Sequence, residues 1–134
     1  MAAPASQHVN QGGNDSSGFR ITYLPGAHEL RIECWGYWPR DVAADFARET
    51  VLTFQKIGAR VDLSFDASRL KPQGVDGQGA LRLVMNAMGS LAFSRATVLS
   101  SDVLCRMQLT RIARECGVDS LLSFRDRGTI DSGP

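Results

Sequence analysis

Side chains able to do chemistry are few in this chain, and their spacing argues against most chemistries. Three cysteines, Cys34, Cys105 and Cys116, form no C-x-x-C pair. The two histidines, His8 and His28, lie far from any paired ligand pattern, so no metal site is expected. Cys105 and Cys116 fall in one predicted helix, about 16 Å apart at 1.5 Å rise per residue, too far for a disulfide. Reduced, buried thiols are the expectation. A G-x-S-x-G nucleophile turn is absent, and His28 has no evident nucleophile partner, so no catalytic residue can be named and no enzyme is expected. Asp62, Asp66 and Asp76 could offer oxygen ligands to a magnesium ion. Asp62 points away from Val61 and Leu63, however, and solvated carboxylates are the simpler expectation. No cofactor is implied.

The stretch 66–79, DASRLKPQGVDGQG, is polar and rich in Gly and Pro and reads as a loop ahead of a helix. In α/β folds such a loop often carries the ligand or partner site. Its candidate residues are Asp66, Ser68, Arg69, Lys71, Asp76, Gly77, Gln78 and Gly79. The backbone N–H groups of Gly77, Gln78 and Gly79 would suit an anion at a helix start, unless Asp76 caps them itself. GVDGQG is neither a P-loop nor a dinucleotide fingerprint. Arg106, Arg111 and Arg114 could make a basic ridge on a third helix; the position of Arg111 and Arg114 near its C-terminus also complements the helix dipole, and Glu115 lies nearby.

The aromatic candidates are Tyr23, Trp35, Tyr37 and Trp38. The segments 19–23 (FRITY) and 28–37 (HELRIECWGY) alternate apolar and polar residues around Pro25-Gly26, the pattern of a β-hairpin. With Leu30, Ile32 and Cys34 facing a helical layer, Trp35 and Tyr37 face the other side of the sheet. Two such residues on an uncovered face suggest a protein interface, including self-association as a homodimer. The competing reading packs Trp35 under the N-terminal segment or over Arg31.

The elements that must position these residues follow from periodicity. A helix over about 40–57 starts behind Pro39 and stops at Gly58. Residues 60–65 (RVDLSF) alternate as a central strand. A second helix runs from about Gly77 to Met88 with Leu81, Val84, Met85 and Met88 as its stripe. Residues 93–100 form a strand. Ser101 or Asp102 caps a third helix over about 103–116, whose buried stripe is Cys105, Leu109, Ile112, Ala113 and Cys116. Residues 119–124 form the last strand. The expected fold is α/β: ββαβαβαβ, a mixed sheet of about five strands with three helices mainly on one face.

Residues 1–18 hold no Lys, Arg or aromatic residue and little aliphatic bulk, so they are expected to be a disordered tail. The domain then spans 19–127, and 128–134 is expected to be flexible. The 134 residues make one domain, 43% hydrophobic and 22% charged, with net charge +1. That balance gives no electrostatic footprint for nucleic acid or a membrane surface. No apolar run is long enough to span a bilayer, no secretory signal is visible, and the expected location is cytoplasmic.

With the strand Asp62-Leu63-Ser64, the helix start Asp76-Gly77-Gln78-Gly79-Ala80-Leu81 and this order of elements, residues 19–126 resemble the STAS domain, a family named for sulphate transporters and bacterial anti-sigma-factor antagonists. The hairpin end Trp35-Gly36-Tyr37-Trp38 and the helix Leu104-Cys105-Arg106-Met107-Gln108-Leu109-Thr110-Arg111 look closer to uncharacterised bacterial STAS/SEC14-like proteins. The resemblance implies a non-enzymatic, regulatory, protein-interaction module. In regulatory members a serine at the helix start accepts phosphate; here Gln78 holds that place and Gly77 the one before it, so that switch is not expected. Ser68, earlier in the loop, is a possible substitute acceptor. The alternative implied by the SEC14 likeness is a small-ligand or lipid binder.

Overall fold

The computed structural model of the chain describes residues 8–58 and 61–126. Within them three helices and six strands form an α/β fold around one mixed sheet. The strands are β1 (His8–Gly13), β2 (Gly18–Leu24), β3 (Glu29–Gly36), β4 (Asp62–Leu70), β5 (Ala96–Leu99) and β6 (Leu122–Arg125). The helices are α1 (Arg40–Ile57), α2 (Val75–Ser90) and α3 (Val103–Glu115). Strand order in the sheet is the order in the chain. β1, β2 and β3 pair antiparallel; β3 to β6 pair parallel, so a helix must cross over between each of those strands. Three right-handed crossovers advancing in one direction put all three helices on the same face. Under them lies a single core built on Phe19, Ile21, Leu30, Ile32, Phe46, Phe54, Leu63, Phe65, Val84, Met88 and Ile112. The opposite face of the sheet carries Arg20, Glu29, Arg31, Glu33, Asp62, Ser64 and Thr97 and lies open.

The helix limits follow the expected punctuation. Pro39 is the N-cap of α1, and the Gly58 N–H closes it on the Phe54 carbonyl at 2.8 Å. The Asp102 carboxylate accepts from Cys105 N at 2.8 Å and caps α3. The sheet has six strands rather than five, because residues 8–18 are not a disordered tail. His8–Gly13 pairs residue for residue with β2, from His8 opposite Tyr23 to Gly13 opposite Gly18. The Asn14 side chain ties the connecting turn, accepting from Ser16 N (2.8 Å) and Ser17 N (3.1 Å). Composition measures side-chain burial, but this strand is held through its backbone on an edge the hairpin already offers. Residues 1–7 and 127–134, including the C-terminal stretch expected to be flexible, lie outside the described residues.

The loop expected over 66–79 shrinks to four residues. β4 continues to Leu70 and α2 begins at Val75. Between the pairs Glu33/Asp66 and Trp35/Arg69, β4 advances three residues while β3 advances two. This bulge shifts the alternation, so that Ala67 and Leu70 are both buried while Arg69 is exposed. The broken period is what disguised the strand as loop. The strand expected over 93–100 is confined to Ala96–Leu99, and the last strand begins only after a 3-10 turn at Asp119–Leu121.

Candidate docking site

The four-residue connection Lys71-Pro72-Gln73-Gly74 is organised by Gln73, only 4% exposed. Its side-chain oxygen accepts from Trp38 N at 3.0 Å. Its amide nitrogen donates to the carbonyls of Gly36 (2.9 Å) and Lys71 (2.7 Å). The Gln108 carboxamide on α3 grips the Gln73 backbone at both ends, accepting from N at 2.7 Å and donating to O at 2.9 Å. Gln78 donates to the same carbonyl at 2.8 Å, and its own side-chain oxygen accepts from Arg111. Gly77 makes this possible, because a Cβ there would stand 2.3 Å from the Gln73 side-chain oxygen. The end of β3, the loop itself, the start of α2 and a flank of α3 are thereby locked to one glutamine.

Exposed apolar side chains ring this loop. Tyr37 is 56% exposed, and its hydroxyl lies against the Gly74 backbone. Val75, the first residue of α2, is 89% exposed. Leu104 and Met107 stand one helical turn before Gln108 and Arg111, the α3 residues that bond the loop and α2, and both are exposed. The flank continues to Glu115, which takes Arg82 from α2 at 2.5 Å and Arg111 at 3.1 Å. The Arg82 hydrogen bond, with Arg111 adding to it, holds the Glu115 carboxyl below its ordinary range.

The residues singled out from sequence separate. Trp35 lies on the open side of the sheet as expected, but its ring is covered rather than exposed. It is 8% exposed: the turn after β1 covers it, its indole N–H donates to Asn14 O at 2.7 Å, and Arg69 stacks over the ring at 5.4 Å. Trp38 is in the core, 2% exposed, donating to Gly18 O at 3.0 Å and packed on Phe46. Tyr23 is half-buried at the core margin. Tyr37 alone of the four keeps an exposed ring.

Asp66, Ser68 and Arg69 sit on the open face of β4 and, with Glu33 and Ser101, line a polar groove of about 430 Å³. There the Ser68 hydroxyl donates to the Asp66 carboxylate. Lys71, Asp76, Gly77, Gln78 and Gly79 are near Gln73 instead. Asp76 does not cap α2. The helix starts earlier, with Gly74 as N-cap and no side-chain cap bond, and Asp76 sits in its first turn. Gln73, Val75, Leu104, Met107 and Gln108 were not anticipated. The available signal was that Leu104 and Met107 are large apolar residues outside the buried stripe of α3.

The core holds little free space. An apolar cavity lined by Cys34, Phe65, Leu81, Met85 and Leu109 measures about 20 Å³, against the roughly 300–1,000 Å³ of small-molecule pockets. Burial pushes the Cys34 thiol well above its ordinary range, and that of Cys105 up to about 11. Among the described residues no group of three or more His, Cys, Asp and Glu side chains could hold a metal ion, and no helix is long and apolar enough to cross a membrane. Compared with protein-family models, curated proteins and solved structures, the chain matches none.

Proposed function

We propose that this chain is a non-enzymatic, STAS-like interaction module that docks on a protein partner where α2 and α3 begin. One observation carries the reading: Tyr37, Val75, Leu104 and Met107 are exposed around a loop that Gln73 holds rigid. Aromatic and Met side chains are enriched at interfaces, and a pre-ordered surface loses less entropy on binding. The Asp62-Leu63-Ser64 strand and the D-x-x-G start of α2 support the family resemblance. Gln78, in the place of a phosphoacceptor serine, spends its carboxamide on Gln73 and Arg111. Docking is therefore constitutive at this place rather than switched by phosphate. For the lipid-binding alternative the core offers no enclosed room, since its cavity measures about 20 Å³.

The test is affinity capture from an extract of the native cell, comparing the natural chain with Leu104→Asp plus Met107→Asp. Both side chains lie outside the core, so folding is retained. Loss of one protein by at least about thirtyfold is expected if these are interface anchors. Unchanged capture refutes the proposed surface.

A further inference from the structure

Among the described residues β1 is an edge strand, and it lacks the charges, proline and bulge that commonly blunt an edge. Its sequence, HVNQGG, contains no charged residue and no proline, and its ladder with β2 runs without a register shift. Native edges are usually blunted by charges, Pro or bulges, because free N–H and C=O groups template another strand. Helices in right-handed crossovers run against their strands, so α1 runs opposite to β3, parallel to β2 and opposite to β1. Its last turn therefore lies toward the start of β1. Between this part of α1 and the edge is an open groove of about 690 Å³ lined by Val9, Asn10, Ile21, Tyr23, Leu52 and Lys56. Leu52 is about half exposed, so apolar surface of α1 continues from the groove to solvent, whereas Val9, opposite Thr22 in the ladder, carries its side chain on the other face of the sheet. Glu49, on the same wall, is engaged by Arg48. Lys56 forms no ion pair among the described residues.

We propose that this edge and groove take an extended segment of a partner protein as a seventh strand, antiparallel to β1. Its backbone pairs with the outward N–H and C=O groups of β1. An apolar side chain lies on Leu52, and an acidic side chain two or four residues later meets Lys56. This is strand addition, in which main-chain bonds supply affinity and alternate side chains supply specificity. Charge complementarity chooses a different protein over a second copy of this chain. β1 has no acid to offer Lys56. The surface is separate from that at α2 and α3, so either can fail without the other.

The probe is the peptide Ac-TVTVTD-NH2, titrated into the full-length ¹⁵N-labelled chain. Its valines and aspartate share one face. Shifts are expected at the amides of residues 9–13 and 52–57. Of two peptide forms, one N-methylated at the valines and one at the threonines, a single form should lose about tenfold or more, because only alternate N–H groups point at the edge. Lys56→Glu should weaken the peptide by about threefold, a typical value for an exposed pair, and should favour a peptide ending in Lys. Equal binding of the two methylated forms overturns strand addition. Shifts in β1 that depend on protein concentration without peptide assign the edge to a second copy and also overturn the proposal.

Discussion

Replacing Gln73 by Met keeps the length of the side chain and removes its polar atoms. Three hydrogen bonds go: those to Trp38 N, Gly36 O and Lys71 O. The first two are buried; the third is partly exposed and can turn to water. An orphaned buried donor or acceptor costs about 1–3 kcal/mol, so two cost about 2–4 kcal/mol after the apolar gain of Met. At about 4 °C per kcal/mol for a domain of this size, the melting temperature should fall by about 8–16 °C. Gln73→Glu adds a pH signature. One carboxyl oxygen still accepts from Trp38, but the other faces two carbonyls and can bond only when protonated. The folded pKa therefore rises above the unfolded value of about 4.3. The folded state then binds more protons, so stability is greatest below pH 4 and declines as pH rises through the folded pKa. Urea titrations at pH 4 and pH 7, referred to the natural chain, read this directly. A loss below about 1 kcal/mol for Gln73→Met, or no pH effect for Gln73→Glu relative to the natural chain, would refute the central role of this side chain.

Further expectations concern single groups. Thr50→Val should raise the urea midpoint, by up to about 1 kcal/mol in stability, because the Thr50 hydroxyl is buried with no hydrogen-bond partner among the described residues. Asp102→Ala should cost about 1 kcal/mol through loss of the α3 cap, again read by urea unfolding. Glu115 ionises more readily when folded, so it contributes stability above the unfolded carboxylate pKa that is lost as pH falls through its lowered folded value. Glu115→Gln should remove that part of the acid dependence. Thiol labelling of the native chain should modify Cys116 first and Cys34 only through unfolding, since Cys34 is buried and its thiol strongly disfavours ionisation. The raised Cys105 value predicts stability that falls as pH climbs from about 8.5, where an unfolded thiol ionises, toward the folded value of about 11. Alkaline unfolding of Cys105→Ala should lack that decline.

The helices were legible because their stripes and punctuation agree. Pro39, Gly58 and Asp102 mark limits that the backbone obeys within a residue. The hairpin was legible from strict alternation, which also placed Trp35 on the correct face. What covers the Trp35 ring there was not, since the cover is the backbone of a segment whose composition resembles disorder. The β4 bulge hid its own strand by breaking the period of two at Asp66–Arg69. The candidate site was half visible. Position 78 was found by its place in a motif, whereas Gln73 looked like one polar loop residue among several. Its importance arises from a mutual approach of β3, α2 and α3 that no local pattern encodes.

The sheet is ordered along its width as the chain is ordered in time. No strand waits for a partner made later, so each can add to an edge that already exists. During synthesis the antiparallel portion up to Gly36 can emerge and pair by local contacts before any parallel crossover must close. Growth then proceeds from one side only, β4 to β6, leaving the β1 side untouched throughout. Among the described strands, the first edge of the sheet to emerge is thus one that no later strand covers, and a nascent chain displays it longer than the β6 edge.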